Sequence, residues 1–397
     1  MARLKKGEKK NAKNEPQKDY SMSDAAVKLA EAVAETLGLT KGSVEVGFGK
    51  SGEIPGWVVT GVPQLDYAVG GFAHPGFPLG RIVEIHGAES SGKTTVSLLI
   101  MKSMTEQYPD TLCDYQDLEK SLNNDMLRGM GISADSFIHS HVSKLEDVFR
   151  EQLAAFSSVK ETGKRACFVV DSIAMSQSNR AMEGEVGDTQ VADIARVMSS
   201  ELKKTVTPIK ESESLVVWVN QMRTNVGVMY GDPHVTPGGD TMKYVPTVRL
   251  RFLSGEKIKS ADGKFFVGLK VHARVFKSKI SRPGTDIQFT IDYNEDENGS
   301  YVTVDKVKAQ IEWCAERGLI QRAGAYYVWG EGKHYLSALT KKIKSSKEEM
   351  EKLRELAYSI KPMPSNIKVD VETGEVIEGV DVNEGESAVG RKQSGDT

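Results

Sequence analysis

The sequence predicts an α/β fold in which a mostly parallel, twisted sheet is covered by helices on both faces. Three observations carry this. From Thr60 to about Tyr293, strand-like and helix-like stretches alternate, the pattern that leaves a parallel sheet between two helical layers. Two of the strand-like stretches, Ala166–Val170 and Ser214–Val219, are near-continuous apolar runs, as strands buried on both faces should be. A third, Arg81–His86, runs into a glycine-bearing turn and then into TVSLLIMKSM, a run of apolar residues and good helix formers.

The chain begins and ends in blocks of opposite charge. Residues 1–18 carry seven Lys or Arg against two Glu, and residues 369–397 carry eight acidic against two basic residues. The formal net charge of −3 therefore hides a basic head and an acidic tail. Such blocks are usually disordered interaction tails, so residues 1–20 and 362–397 are expected to be disordered. Between them three divisions are expected: a small module at 21–59, a core at 60–295 and a carboxyl-terminal lobe at 296–361.

Ser21 to Gly38 reads as an amphipathic helix. Ser21 with Asp24 makes a capping-box start, Ala26, Leu29, Val33 and Leu37 recur at helical spacing, and Gly38 is the stop. A short β-prone piece, Ser43–Phe48, follows. The apolar stripe needs a partner, either the rest of the chain or another protomer.

Within the core, Gly87-Ala88-Glu89-Ser90-Ser91-Gly92-Lys93-Thr94 fits the phosphate-binding pattern G-x-x-x-x-G-K-[ST], and the strand before it and helix after it are the context that confirms such a loop. The chemistry explains the residue types. Gly87 and Gly92 let the backbone turn tightly, so that N–H groups from Ala88 through Thr95 can face phosphate oxygens. Lys93 would reach the β- and γ-phosphates, and the Thr94 hydroxyl would sit on Mg²⁺. The expected ligand is a nucleoside triphosphate.

Leu112–Gln116 is the next strand. Asp114 is awkward in a strand buried on both faces and is expected near an end or edge. Asp117-Leu118-Glu119 falls at the strand's carboxyl end, where α/β ligands usually bind. After a helix around Leu145–Val159, the strand Ala166–Val170 ends in Asp171-Ser172. An apolar strand ending in Asp downstream of a phosphate loop suggests a carboxylate that holds Mg²⁺ through water. Residues 176–190 are polar and glycine-bearing, a loop by composition. The helix Val191–Lys210 carries Arg196, Lys203 and Lys204. Ser214–Val219 leads into Asn220-Gln221-Met222-Arg223, and the glycine-rich segment 224–240 is too long for an ordinary connection. Lys243–Phe252 and Phe265–Val275 resume β character, with Lys277 and Lys279 just beyond. Composition turns polar at Tyr293–Gly299, a domain boundary by composition. Residues 300–361 read as a lobe with helices around Val304–Arg317 and Ser345–Ile360, carrying twelve Lys or Arg against eight acids.

No apolar run approaches bilayer length, and the amino terminus lacks the apolar segment of a secretory signal, so no membrane partner and a cytoplasmic location are expected. Three widely separated cysteines support neither a disulfide framework nor a cysteine zinc site.

Six stretches taken together, GRIVEIHGAESSGKTT, ACFVVDS, MEGEVGDTQ, VNQMR, GVMYGDPHVTPGGDTMKY and VFKSKI, resemble the RecA-type DNA strand-exchange recombinases of bacteria over roughly residues 22–361. The resemblance implies a RecA-type P-loop ATPase core with a small amino-terminal polymerisation module and a small α+β carboxyl-terminal lobe. It implies ATP and Mg²⁺ as cofactors, single- and double-stranded DNA as partners, assembly into a helical filament, and roles in recombination, repair and the SOS response. By resemblance, Glu119 positions the attacking water and Gln221 senses the γ-phosphate. Tyr293 lies near the base. Loops 176–190 and 224–240 bind DNA, with Arg196, Ser199, Lys203 and Arg223 on its backbone, Val191 and Val226 wedged between base groups, and Gly238 and Gly239 close to a phosphate. Lys277 and Lys279 reach the neighbour's triphosphate, and helix 21–38 docks on the adjacent protomer.

The chain also departs from the family pattern. Asn123 and Met126 stand where an acid and a tyrosine usually face the adenine. Asn225 replaces a basic residue, and Pro237 and Asp240 replace polar neutral ones. A divergent member, phage- or plasmid-borne, is the reading these differences suggest. Two alternatives share part of the machinery: a hexameric RecA-fold motor such as a helicase, and a non-catalytic DNA-binding mediator. The amino-terminal helix and the paired lysines argue against the first, and the intact Lys93, Thr94, Glu119 and Asp171 set argues against the second.

Overall fold

Strands whose neighbouring residues point to opposite faces, both of them buried, build the centre of this protein. The computed structural model describes residues 22–39, 44, 46, 52–180, 190–224, 234–296, 299–360, 368–369 and 376–377. Residues 1–54 and 55–397 form two units.

In chain order the strands of the second unit begin with β1 (Trp57–Val58) and β2 (Phe77–Pro78), a short antiparallel pair. Next come β3 (Arg81–Gly87), β4 (Thr111–Asp117), β5 (Phe137–Ser140), β6 (Arg165–Asp171) and β7 (Leu215–Gln221). The short β8 (Arg223–Thr224) and β9 (His234–Val235) pair with each other. They are followed by β10 (Val248–Phe252), β11 (Glu256–Lys259), β12 (Phe266–Ser278), β13 (Asp286–Asp296) and β14 (Gly299–Thr303). Ten of these form one sheet in the order β14-β13-β12-β10-β3-β7-β6-β4-β5, with β11 beside β12. The ladders from β10 through β3, β7, β6 and β4 to β5 are all parallel, and β12, β13, β14 and β11 add an antiparallel wing. The mostly parallel α/β sheet expected from the alternation is the architecture found.

Period-two alternation sorts the core into two halves. Val83, Ile85, Cys167, Val169, Val217 and Val219 face a cluster that includes Leu98 and Met101 of the helix Lys93–Gln107. Ile82, Phe168, Val170, Val216 and Trp218 face the other, with Phe149 and Phe156 of the helix Leu145–Thr162 and Met198 and Leu202 of the helix Gln190–Glu211. A third cluster joins Trp313, Cys314, Leu339, Ile343 and Leu353 of the carboxyl-terminal lobe to Tyr67. Tyr67 stacks on Trp313 at 5.4 Å, and the Tyr358 hydroxyl donates to Asp66 at 2.5 Å. That lobe contains a helix the sequence reading did not anticipate, Leu336–Lys344.

Several local expectations change. Asp114 is in mid-strand and 5 % exposed, and β4 lies between β6 and β5 rather than at the edge. Burial, helped by the neighbouring Glu151 carboxylate, pushes its carboxyl up to about 7. Lys243 and Tyr244 belong to a short helix, Gly239–Tyr244, so β character resumes only at Val248. The polar residues after Tyr293 continue β13 to Asp296, which pairs antiparallel with Gly299 of β14, and the sheet continues to Thr303.

In the first unit the helix runs from Met22 to Thr36 and leaves Leu29 and Leu37 exposed. The expected strand Ser43–Phe48, both tails, loop residues 181–189 and Val226 lie wholly or mostly outside the described residues.

Candidate nucleotide site and DNA-facing surface

The chain leaves β3 at Gly87 with almost no room to spare. A Cβ there would sit 2.0 Å from the carbonyl oxygen of Phe252, which also accepts a 3.2 Å hydrogen bond from Ala88 N. Only glycine starts the turn this close to β10. Gly92, at φ 93°, closes the loop in the left-handed region and caps the helix Lys93–Gln107. Between the two glycines Glu89 and Ser90 are exposed, while Ser91 is buried and donates to Ala88 O at 2.7 Å. Lys93 folds back inside the loop and its Nζ donates to the same oxygen at 2.6 Å.

This cradle opens on a cavity of about 520 Å³. Residues 89–95 form one wall, Glu119, Asp171 and Gln221 the floor, and Leu269, Ile291, Tyr293, Val302 and Met126 an apolar side. The polar end suits a triphosphate. Burial lowers the Lys93 ammonium's pKa, with Asp171, Glu119 and Glu89 acting against it. Anionic phosphate oxygens would hold that charge, as would the positive end of the helix. The apolar end suits a flat base. Asn123 makes no part of it: its side chain caps the helix Asn124–Met130 by accepting from Met126 N at 2.7 Å.

The oxygen donors for a hard divalent cation are also in place. Thr94 Oγ1 donates to Asp171 Oδ2 at 2.7 Å, and Tyr115 OH donates to the same oxygen at 2.7 Å. Burial raises the pKa of Asp171, opposed by those two hydrogen bonds. A hydroxyl and a buried carboxylate in contact fit Mg²⁺, which prefers oxygen ligands.

Glu119 is held by the ends of three strands. Its backbone N donates to Asp171 O at 3.2 Å, fixing β4 to β6. Its Oε1 accepts from Ser172 Oγ at 2.5 Å and from Gln221 Nε2 at 2.7 Å, so the carboxylate also touches the end of β7. The sequence reading missed Tyr115 and Ser172. A buried aromatic with a polar tip was the available signal for Tyr115, since such hydroxyls seek a partner.

Gln221 is wired to the far end of the long loop. Its backbone N donates to Asn220 Oδ1 at 3.0 Å. Asn220 Nδ2 donates to the carbonyl of Pro237 at 2.9 Å and to Glu84 Oε1 at 3.0 Å. Glu84 pairs with Arg249, whose Nη2 donates to Thr236 Oγ1 at 3.3 Å. This network was not read from the sequence.

The helix Gln190–Glu211 buries Ile194, Met198, Leu202 and Ile209, which leaves Arg196 and Lys203 exposed and Ser199 half-buried. Arg196 donates to Asp193 at 2.9 Å, and Arg223 is exposed on β8. Gly238 and Gly239 take φ 99° and 69°. Both also have a packing reason, because added Cβ atoms would meet Met242 Cγ at 2.8 Å and Ala195 Cβ at 2.9 Å. Lys277 and Lys279 do not line this chain's own cavity. Lys277 Nζ donates to the carbonyls of Lys243 and Tyr244 at 2.8 Å and of Pro246 at 3.0 Å, and Lys279 Nζ donates to Val245 O at 3.2 Å.

Among the described residues no helix is long and apolar enough to cross a membrane. The model of the RecA N-terminal domain family matches residues 29–298. The chain is also 30% identical over 309 residues to the protein RecA of Ruminococcus albus, covering 74% of this chain and 73% of that one.

Proposed function

The chain belongs to the RecA family, and from that premise we propose that it is an ATP-dependent recombinase. In this reading it polymerises on single-stranded DNA, pairs it with homologous duplex and exchanges strands. The observation that carries the catalytic part is that Lys93, Thr94, Glu119, Asp171 and Gln221, five residues from four separate places in the sequence, line one cavity.

The residues divide the work. The loop amides and Lys93 bind the phosphates, and Thr94 and Asp171 hold Mg²⁺, Asp171 through water. The ion supplies charge neutralisation at the phosphates. Glu119 orients the attacking water. Both of its hydrogen bonds fall on Oε1, so Oε2 is the acceptor offered to that water. Gln221 donates one of its two amide hydrogens to Glu119, and a γ-phosphate oxygen would draw on the other and re-aim the amide. Its neighbour Asn220 would pass that change to Pro237, at the end of the second DNA loop.

On the DNA side, Arg196, Ser199, Lys203 and Arg223 contact the backbone, with Val191, Val226, Gly238 and Gly239 completing the two loops. Backbone contacts give sequence-tolerant, salt-dependent binding, as pairing of any sequence requires. The helix 21–38 and the Lys277/Lys279 face join protomers, so each site is completed by the neighbour's two ammonium groups. The test is ATP hydrolysis with and without single-stranded DNA, imaged alongside by negative stain. Helical filaments with DNA-stimulated turnover are expected; closed rings, or hydrolysis indifferent to DNA, would overturn the proposal.

A further inference from the structure

Two of the chain's seven histidines meet a buried carboxylate at the end of β4. Asp117 is 1 % exposed. His139 lies on β5, opposite Tyr115 in the parallel ladder, and His141 follows just beyond the strand. One ligand-capable atom from each of Asp117, His139 and His141 lies within 4.8 Å of the other two. His139 Nε2 is 3.2 Å from Asp117 Oδ2, and the two imidazole rings are 4.1 Å apart at 48°.

We propose that Asp117, His139 and His141 form a site for one divalent transition-metal ion of the zinc class, with solvent completing its coordination. The spacing fits. Ligands about 2.0–2.1 Å from a tetrahedral ion stand roughly 3.3 Å from one another, so the His139–Asp117 pair is already at that separation. The two remaining edges both run to His141, whose ligand atom lies within 4.8 Å of the other two on an exposed side chain free to turn towards them. The ligand types fit as well: two imidazoles and one carboxylate select zinc-like ions over Mg²⁺, which prefers oxygens alone. Asp117 is oriented from behind, since its Oδ1 accepts from Ser121 N at 3.3 Å and its Oδ2 from Leu122 N at 3.1 Å. Such outer contacts are what hold a metal-binding carboxylate in position. A simple His–Asp hydrogen bond accounts for His139 but gives no reason for the exposed His141 to stand over the same carboxylate. The exposed side of His141 supplies the entry path and the open position.

The site lies two residues before Glu119, and the same carboxylate ties down the turn at Ser121 and Leu122. A bound ion would therefore stiffen the segment that carries Glu119. The proposal stands on this ligand geometry and not on the nucleotide or DNA reading.

The test is titration of the untagged full-length chain with Co²⁺ in excess Mg²⁺, followed by visible absorption. One equivalent of cobalt should produce a tetrahedral or five-coordinate band that Zn²⁺ abolishes and Mg²⁺ does not. His141→Gln, on an exposed side chain, leaves the fold intact and should weaken binding by about tenfold or more, as should His139→Gln. His334→Gln, far along the chain, should change nothing. The absence of a one-equivalent band, or a band that survives His141→Gln at full strength, would overturn the site and leave His139 as an ordinary hydrogen-bond partner of Asp117.

Discussion

Replacing Glu84 with Gln should cost the protein about 3–5 kcal/mol, the range for breaking a buried ion pair by removing one partner. Glu84 is 0 % and Arg249 5 % exposed, and they sit directly opposite each other on the parallel strands β3 and β10. Gln keeps the shape and the acceptor for Asn220, so the loss isolates the charge. The stranded guanidinium cannot shed its proton, and the Thr236 hydroxyl is a weak substitute. Arg249→Met leaves the opposite orphan, and that one has an escape. Burial already raises the pKa of Glu84, with Arg249 acting against it, and removing Arg249 raises it further. The carboxyl's pKa in the folded variant then lies above its unfolded value. The escape is fully present below the unfolded pKa and is lost as pH rises through the folded one. Arg249→Met should therefore approach the parent as pH falls from 8 to 5, while Glu84→Gln should not. The double variant Glu84→Gln/Arg249→Met should regain most of the loss. Urea unfolding followed by circular dichroism at the two pH values measures all four chains. A Glu84→Gln loss under about 1 kcal/mol, typical of exposed pairs, or a double variant no better than its worse parent, refutes the reasoning.

Three further outcomes can be checked. Gly87→Ala should destabilise the chain far more than Gly92→Ala, because its Cβ meets a backbone oxygen at 2.0 Å while that of Gly92 meets only the end of Ile291 at 2.6 Å. The Gly92 change carries mainly the left-handed penalty of about 1–2 kcal/mol, and equal thermal midpoints would contradict this account. Burial pushes Asp66 up to about 6 from 3.8, so its contribution to stability is present below about pH 4 and lost as pH rises through 6. The stability of the parent relative to Asp66→Asn should then fall by up to about 3 kcal/mol between pH 4 and 7; a constant difference would show the carboxyl is not held protonated. Lys277→Ala should abolish DNA-stimulated turnover and leave nucleotide binding intact, and normal turnover in a hydrolysis assay would exclude the lysine from the site.

The parts of this molecule legible in its sequence are those whose signal is local. A phosphate loop needs its glycines, lysine and hydroxyl within eight positions, and a strand ending in Asp171 shows as a short apolar run. The α/β class followed from the same kind of run. What escaped notice depends on partners far apart in the chain. Tyr115 finds Asp171 and Ser172 finds Glu119 across the β4–β6 ladder, and Glu84 meets Arg249 and Asn220 only once β3, β7 and β10 are neighbours. Asp114 was misplaced for the same reason: what raises the pKa of its carboxyl is burial and Glu151, on a helix whose packing no spacing announces. Asn123, which stands where an acid usually faces the adenine, serves the backbone as a helix cap.

The Lys277 ammonium has three hydrogens, and the three carbonyls of Lys243, Tyr244 and Pro246 take one each. The same hydrogens cannot also serve phosphate oxygens across a protomer boundary. If the lysine does cross, it must first let go of the turn that follows the second loop, and that turn loses its clasp as the neighbour's site gains its charge. Occupancy of one site and order in the adjacent loop then become alternatives drawn from a single cation. Contact between copies would be communicated as a trade, not as an added bond.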